Sequence, residues 1–397
     1  MIKVSVIGQG YVGLPLSLAA SKSGYQVIGI DSDKKKVLAI KSGESTVEDV
    51  TSTELNQCLK TGSYQITSDF NQVSQSSIVL LCVPTPLTDE GNPDLSMLTS
   101  ALKSVGKYLS LGTLIILEST VEPGTTRNFV APLIESQSGL NNSEYFLAFS
   151  PERIDPNNKA WGIKNTPKLV AGLNQDAINR ATEFYSKFID TVVKCDSLEV
   201  AETAKLLENS FRLINISFIN EISKFCRKLG IDVNAVIESA STKPYGFMPF
   251  FPSIGAGGHC IPVDPVYLSD KALKIDAPIQ MIDLAAQINK GIPNFYAQLA
   301  AEILGEMSGK KILIVGVSYK INLTDVRETP VKDLIQILRI KGAEVFWHDD
   351  LVREWNGEKS VALSSDFDLA ILATPHDYLD LTKLGNVPIL NTRGSIY

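Results

Sequence analysis

A chain of 397 residues exceeds the ~250 to 300 at which a single hydrophobic core stops growing, so two or three domains are expected. Its hydrophobic content of 44% and charged content of 20% are those of a globular protein, and a net charge of −7 argues against generic affinity for nucleic acid or anionic membranes, which need a basic surface. No apolar run approaches the ~20 residues that span a bilayer, and "MIKVSVIGQG" reads as a first strand rather than a signal peptide, so a cytoplasmic location is expected. The cysteines Cys58, Cys82, Cys195, Cys226 and Cys260 are odd in number, widely spaced and without a CxxC pair, which points to neither a disulfide framework nor a metal site.

From residue 1 to about 195, short apolar strand patterns ("KVSVIG", "QVIGID", "SIVLLCVP", "TLIILEST", "YFLAFSP") alternate with helical stretches, the pattern of a parallel doubly wound α/β sheet. Directly after the first strand comes Gly8-Gln9-Gly10-Tyr11-Val12-Gly13, followed by a helix-like segment, and Asp31 ends the second strand 18 residues beyond Gly13. In a dinucleotide site Gly8 permits the tight turn, Gly10 lets the backbone approach the pyrophosphate, and Gly13 lets the helix pack closely. Asp31 would bind the adenosine ribose hydroxyls and repel a 2′-phosphate, which favours NAD over NADP unless one of Lys34, Lys35 or Lys36 turns inward. Two strand-end turns follow, "CVPTPLTDEGNPD" and "ESTVEPGTT", where Thr85 and Thr120 either donate to a cofactor or substrate oxygen or simply satisfy turn backbone.

Residues 196–308 read as helical. Between Leu198 and Phe225 apolar residues are spread around the whole helical circumference, which predicts burial on all sides. Lys205, Asn209 and Arg212 nevertheless recur at i, i+4 and i+7, so either an anion faces that stripe or Glu202, Glu208 and Glu221 pair with it. A third section from 309 to 397 alternates again, with strands in "KKILIVGVSYK", "AEVFWHDD", "FDLAILATPH" and "VPILNTRG". It echoes the N-terminus: "KVSVIGQGYVG" matches "KILIVGVSYK" and "QVIGIDSD" matches "EVFWHDDL". The expectation is two Rossmann-like domains, 1–195 and 309–397, joined by a helical region with one long helix and with the active site between the halves. His348 and His376, at strand ends, read as structural.

The loop "SIGAGGHCIPVDP" places Cys260 after Gly257, Gly258 and His259, with Asp264 four residues on. Glycine-flanked N–H groups suit an oxyanion. His259, Lys205 or a helix N-terminus would lower the thiol's pKa. A nucleophile beside a hydride acceptor has a specific use: an aldehyde gives up hydride only after a thiol adds to it, leaving a thioester that water hydrolyses. Asp264 would orient that water. The competing reading is a structural cysteine in a Gly-rich loop.

Taken in order, GxGxxG, "ESTVEPGTT", "FSPERIDP", "KLLENSFR", "GGHCIPVDP" and "GVSYKINLTDVRETP" resemble the UDP-glucose/GDP-mannose dehydrogenase family over essentially the full length. The resemblance implies an NAD domain, a central dimerisation helix, a C-terminal UDP-binding domain, and a homodimer or higher oligomer. It implies Cys260 as thiol nucleophile and Lys205 as oxyanion stabiliser or proton carrier. Asn209 and Asp264 become the water-positioning pair, Thr120 an active-site hydroxyl and Glu152 the acid of thioester hydrolysis. Tyr11, Val12, Asp31, Thr85, Thr120 and Arg327 correspond to NAD contacts. Arg153, Arg212, Gly257, Tyr319, Lys320 and Arg393, with Lys205 and Asn209, correspond to nucleotide-sugar contacts.

Where glucose-type members read "GGxCLPKD" and lack an arginine at position 212, this chain has "GGHCIPVDP" and "NSFRLIN", as in the N-acetylhexosamine branch. "TKPYGFMPFFP" and "SPERIDP" are most similar to members acting on UDP-N-acetylglucosamine, with UDP-N-acetylmannosamine and UDP-glucose as alternatives; the product would be a uronic acid for surface polysaccharide. Two readings from other classes stay open: a two-electron 3-hydroxyacid dehydrogenase, which needs no thiol, and a catalytically silent nucleotide-binding module.

Overall fold

The computed structural model describes residues 2–155, 158 and 160–394. The chain divides into two compact units, Met1–Glu208 with Val266–Ile275, and Asn209–Pro265 with Asp276–Tyr397.

The first unit holds strands β1 (Lys3–Ile7), β2 (Gln26–Ile30), β3 (Tyr64–Thr67), β4 (Ile78–Leu81), β5 (Leu114–Leu117), β6 (Phe146–Phe149), β7 (Lys168–Gly172) and β8 (Val192–Lys194). They form one sheet in the order β3-β2-β1-β4-β5-β6-β7-β8, parallel throughout except that β7 runs antiparallel to β6. Helices α1 (Gly13–Lys22), α2 (Lys34–Lys41), α3 (Ser52–Thr61), α4 (Ser96–Gly106), α5 (Ala131–Ser138) and α6 (Gln175–Tyr185) connect the strands. Alternate residues of the central strands fall into different cores: Ile78, Leu80, Ile116 and Ala148 on one side, Val79, Leu81, Ile115 and Phe149 on the other. A parallel sheet covered on both faces has no solvent side, which is why "IVLL" and "LIIL" are unbroken apolar runs.

The 32-residue α7 (Leu198–Leu229) follows, then α8 (Val233–Ser241), α9 (Asp264–Lys274) and α10 (Gln280–Leu304). The expectation that α7 is buried all round does not hold. Val200, Leu207, Phe211, Phe218, Phe225 and Leu229 are exposed. At 100° per residue their spacings of 7, 4, 7, 7 and 4 gather them into an arc of about 40°. Leu206, Leu213, Ile219 and Cys226 are buried, and the exposed residues off that stripe are the charged Arg212, Glu221 and Lys228, so the apolar content reflects one buried face plus one narrow exposed stripe.

The second unit contains β9 (Lys311–Val315), α11 (Val331–Ile340), β10 (Glu344–His348), the hairpin β11 (Glu354–Trp355) and β12 (Glu358–Lys359), β13 (Leu369–Leu372) and β14 (Ile389–Asn391). Its parallel sheet has the order β10-β9-β13-β14, the same relation as β2-β1-β4 in the first unit. The internal echo extends to single bonds. Gly8 N–H donates to the Ile30 carbonyl (2.8 Å) and Gly316 N–H to the His348 carbonyl (2.9 Å). Gln9 N–H donates to Asp31 Oδ2 (2.8 Å) and Val317 N–H to Asp349 Oδ2 (3.0 Å). Asp349 also pairs with His376 Nε2 at 2.9 Å, while Asn322 N–H donates to His376 Nδ1, so this buried histidine braces a turn.

Candidate active site

In the first unit the glycine motif has the local geometry its sequence predicts. Gly8 sits at φ +88°, and a Cβ there would lie 2.6 Å from the Cys82 carbonyl oxygen. A Cβ on Gly13 would stand 1.8 Å from the Gly8 carbonyl oxygen, so the start of α1 packs directly on the β1 turn. A Cβ on Gly10 would meet nothing within 4 Å, leaving its backbone open to a ligand. Among the described residues no side chain caps the N-terminus of α1; Leu14 N–H is taken by the Gly10 carbonyl (3.1 Å) and Pro15 has no N–H, which leaves the Gly13 amide at the helix start for an anion. These residues fit the pyrophosphate of a dinucleotide.

Asp31, buried at the end of β2, accepts from Gln9 N–H, from Asp33 N–H (2.9 Å) and from Lys36 Nζ (2.9 Å). Lys36 is thus the lysine of the 34–36 run that turns inward, and it offsets part of the carboxylate charge that would repel a 2′-phosphate. Sequence reading named Lys36 only as one of three lysines that could turn inward; the start of α2, capped by Asp33, brings it to Asp31.

At the carboxyl ends of β4 and β5, the Thr85 hydroxyl donates to the Thr120 carbonyl (2.7 Å), which is the turn-satisfying role. The half-buried Thr120 hydroxyl makes no hydrogen bond among the described residues. Glu152 Oε1 accepts from Arg153 N–H and Ile154 N–H, both at 2.7 Å. Arg153 itself is engaged by Glu208 (2.6 and 3.2 Å) and the Pro167 carbonyl (2.8 Å). The buried Glu202, considered as a partner for Lys205, instead accepts from Gly124 N–H (2.6 Å) and Thr126 N–H (2.9 Å). It clips the "EPGTT" turn to α7, a role that no local pattern advertises. Lys205, one turn further along α7, is buried to 8% exposure.

In the second unit, Asn209 Nδ2 donates to Asp264 Oδ2 at 2.6 Å, joining residues 55 apart in the chain, and both are buried. Asp264 opens α9, and its N–H donates to the Cys260 carbonyl at 2.8 Å. Cys260 is exposed and lies one turn before the helix N-terminus. Tyr11 and Val12 flank the glycines of the first unit; Arg212, expected on the Lys205/Asn209 stripe, is exposed.

Two expectations about the thiol change. Burial, and then the Arg327 guanidinium, push His259 below its usual pKa, so it is neutral at pH 7 and supplies no cation to Cys260. Gly258 N–H donates to the Arg327 carbonyl (3.2 Å), which removes that amide from the oxyanion donors. The expected helix N-terminus is at hand in α9, which begins one turn beyond Cys260 and favours a thiolate. A Cβ on Gly257 would lie 2.9 Å from Tyr319 Cβ, and one on Gly258 2.7 Å from the Tyr319 ring, so the Cys260 loop is moulded on Tyr319. Arg327 forks onto Asp325 (2.6 to 3.1 Å). Lys320 is half-buried beside Tyr319, and the carbonyl of exposed Arg393 accepts from Asn234 Nδ2 (3.1 Å).

Residues 2–189 match the NAD binding domain of the UDP-glucose/GDP-mannose dehydrogenase family, 199–291 its central domain and 313–393 its UDP binding domain. The chain belongs to this family. It is 33% identical over 388 residues to the UDP-N-acetyl-D-glucosamine 6-dehydrogenase of Salmonella typhi, covering 94% of this chain and 90% of that one. A protein of the same name from Pseudomonas aeruginosa is 34% identical over 343 residues, with 85% and 80% covered. The structure of UDP-D-ManNAc dehydrogenase from Pyrococcus horikoshii superposes with a TM-score of 0.91 at 30% identity, over 99% of this chain and 95% of that one. As a member of the UDP-glucose/GDP-mannose dehydrogenase family the protein is an oxidoreductase, an NAD-dependent UDP-sugar dehydrogenase. No helix among the described residues is long and apolar enough to cross a membrane.

Proposed function

We propose that the protein oxidises the C6 primary alcohol of UDP-N-acetylglucosamine to the carboxylate, in two two-electron steps joined by a covalent bond to Cys260. The observation that carries this reading is the buried Asn209–Asp264 bond, one helical turn from an exposed thiol at a helix N-terminus. A simple alcohol dehydrogenase has no use for that arrangement; a thioester hydrolase does. When bound, NAD supplies the acceptor for each of the two hydrides. Over the whole reaction R–CH2OH, two NAD+ and water give R–COO−, two NADH and three protons.

In this reading Thr120 and Lys205 bind and polarise the oxygen at C6, and Lys205 takes its proton during the first oxidation. Cys260 Sγ adds to the aldehyde carbon, and the resulting alkoxide is held by Lys205 and Asn209 until the second hydride leaves. Asp264, oriented by Asn209, positions water on the thioester, and Glu152 takes the proton from it. Gly10, Tyr11, Val12, Gly13, Asp31, Thr85 and Arg327, with Lys36, hold the dinucleotide. Arg153, Arg212, Gly257, Tyr319, Lys320 and Arg393 are assigned to the nucleotide sugar.

The gluco epimer is supported by the names of the Salmonella and Pseudomonas relatives; the manno epimer is the second reading, supported by the Pyrococcus structure. Epimers differ by only a few kcal/mol in a pocket, so the choice is an assay matter. We also propose a homodimer through the exposed stripe of α7, since an apolar seam of that length is seldom left in water, and a product destined for surface polysaccharide.

The test offers UDP-N-acetylglucosamine, UDP-N-acetylmannosamine and UDP-glucose with NAD and counts NADH per sugar consumed. Two per sugar with the first, and an acid product lost in Cys260→Ser, are expected. One NADH per sugar, or full acid formation by Cys260→Ser, would refute the covalent route.

A further inference from the structure

The carboxyl ends of β5 and β6 and the start of the antiparallel β7 bring together a charged cluster in which only Glu152 has been given a part in the proposed reaction. Lys168 Nζ, its side chain 6% exposed, lies 2.5 Å from Glu118 Oε2, 3.1 Å from the Pro151 carbonyl and 3.6 Å from Glu152 Oε2. The second oxygen of Glu118 accepts from the Tyr185 hydroxyl, and the fully buried Cys82 completes the surroundings as a neutral thiol. One ammonium is thus shared by two carboxylates.

The two carboxylates are not equivalent. Glu118 is wholly buried and holds both a lysine and a tyrosine hydroxyl. The Glu152 side chain is 18% exposed; its Oε1 is fixed by two successive backbone amides, and its Oε2 is beyond hydrogen-bond distance of Lys168 yet within ion-pair range. That leaves Oε2 with lone pairs for a water. Arg153, the other cation adjoining Glu152, is drawn off by Glu208. Charge neutrality of the buried lysine needs only one carboxylate, so the lysine's approach to Glu152 is surplus to folding.

We propose that Lys168, backed by Glu118 and Tyr185, is a positioning residue that holds Glu152 in orientation as the base of thioester hydrolysis. This rests on the reading that Glu152 acts in that step. A proton passes from water to Glu152 Oε2, the water oxygen bonds to the acyl carbon, and the C–S bond breaks with its electron pair remaining on Cys260 Sγ.

The test uses full-length protein with NAD and the UDP-sugar it turns over, comparing Lys168→Met, Lys168→Arg, Glu118→Gln/Lys168→Met and Glu152→Gln. Acid-quenched samples are weighed by mass spectrometry for the acyl group on Cys260, and kcat and KM are measured. Lys168→Met is expected to lower kcat about 10- to 100-fold with KM nearly unchanged and to accumulate acyl-enzyme. Lys168→Arg restores kcat. The double variant removes both buried charges, regains thermal stability and still accumulates acyl-enzyme. A stable Lys168→Met or double variant with ordinary kcat and no acyl-enzyme would assign Lys168 to folding alone, provided Glu152→Gln stalls at the acyl-enzyme. If Glu152→Gln turns over normally, the role given to Glu152 fails, and this proposal with it.

Discussion

Two alanine substitutions in the glycine motif separate packing from binding. In Gly13→Ala the new Cβ would lie 1.8 Å from the Gly8 carbonyl oxygen and 3.3 Å from Cys82 Cβ, where real contacts essentially never fall below 3.0 Å. The nearer obstacle is backbone, which cannot turn to another rotamer, so α1 must retreat by more than an ångström. Overpacking of this kind costs about 1 to 3 kcal/mol, and the backbone clash places it at about 3. At about 2 to 4 °C per kcal/mol for a domain of this size, Tm falls by about 6 to 12 °C. In Gly10→Ala the Cβ meets nothing within 4 Å, so the ligand-free Tm stays within about 2 °C. The methyl instead occupies the space through which a phosphate reaches the backbone. Loss of one charge-assisted hydrogen bond, about 1.5 to 3 kcal/mol, weakens NAD binding about 10- to 100-fold. Differential scanning fluorimetry without ligand and calorimetric titration with NAD measure the two effects. Unchanged NAD affinity in Gly10→Ala, or an unchanged Tm in Gly13→Ala, would refute the assignment of these glycines.

Asn209→Ala removes the donor at 2.6 Å from a buried carboxylate, so it should cost about 1.5 to 3 kcal/mol and lead to acyl-enzyme in quenched samples; a stable variant with ordinary steady-state turnover would exclude a role in hydrolysis. If the parent forms the dimer proposed above, Phe218→Glu, in the middle of the exposed α7 stripe, should sediment as a monomer at the same concentration, with Tm of the single chain little changed; a variant that stays dimeric, or a monomeric parent, would refute an interface on this stripe. The Glu118 carboxyl, raised to about 7 by burial, binds a proton in the folded state that the unfolded chain releases near its usual 4.5. Its contribution to stability is therefore full below about pH 4.5 and is lost as pH rises to about 7. Glu118→Gln should flatten that part of the Tm profile, and a parallel profile would place the titration on another group.

Much of the architecture was legible in the chain itself. The strands of "KVSVIG", "QVIGID", "SIVLLCVP" and "KKILIVGVSYK" are apolar because each is covered on both faces, and the glycine turn and strand-end aspartate recur in both halves. These are local signals: periodicity, a turn that only glycine permits, an acid at a fixed offset. Strands β3 and β8, at the two edges of the sheet, and the β11–β12 hairpin were missed because they are short or carry polar residues; β7, five residues long and inside the sheet, was missed as well.

What tertiary structure decided was pairing. The Asn209–Asp264 bond, the hold of Glu202 on the 124–126 turn and the Glu118–Lys168 pair each join residues 50 or more apart, and Glu152, 16 residues from Lys168, meets that pair from a third place in the chain. A carboxylate looks the same in sequence whether it meets a backbone amide, a lysine or water. Its partner is set by which strand ends the sheet order brings side by side, and the reversal of β7 is what carries Lys168 to the end where Glu118 and Glu152 lie.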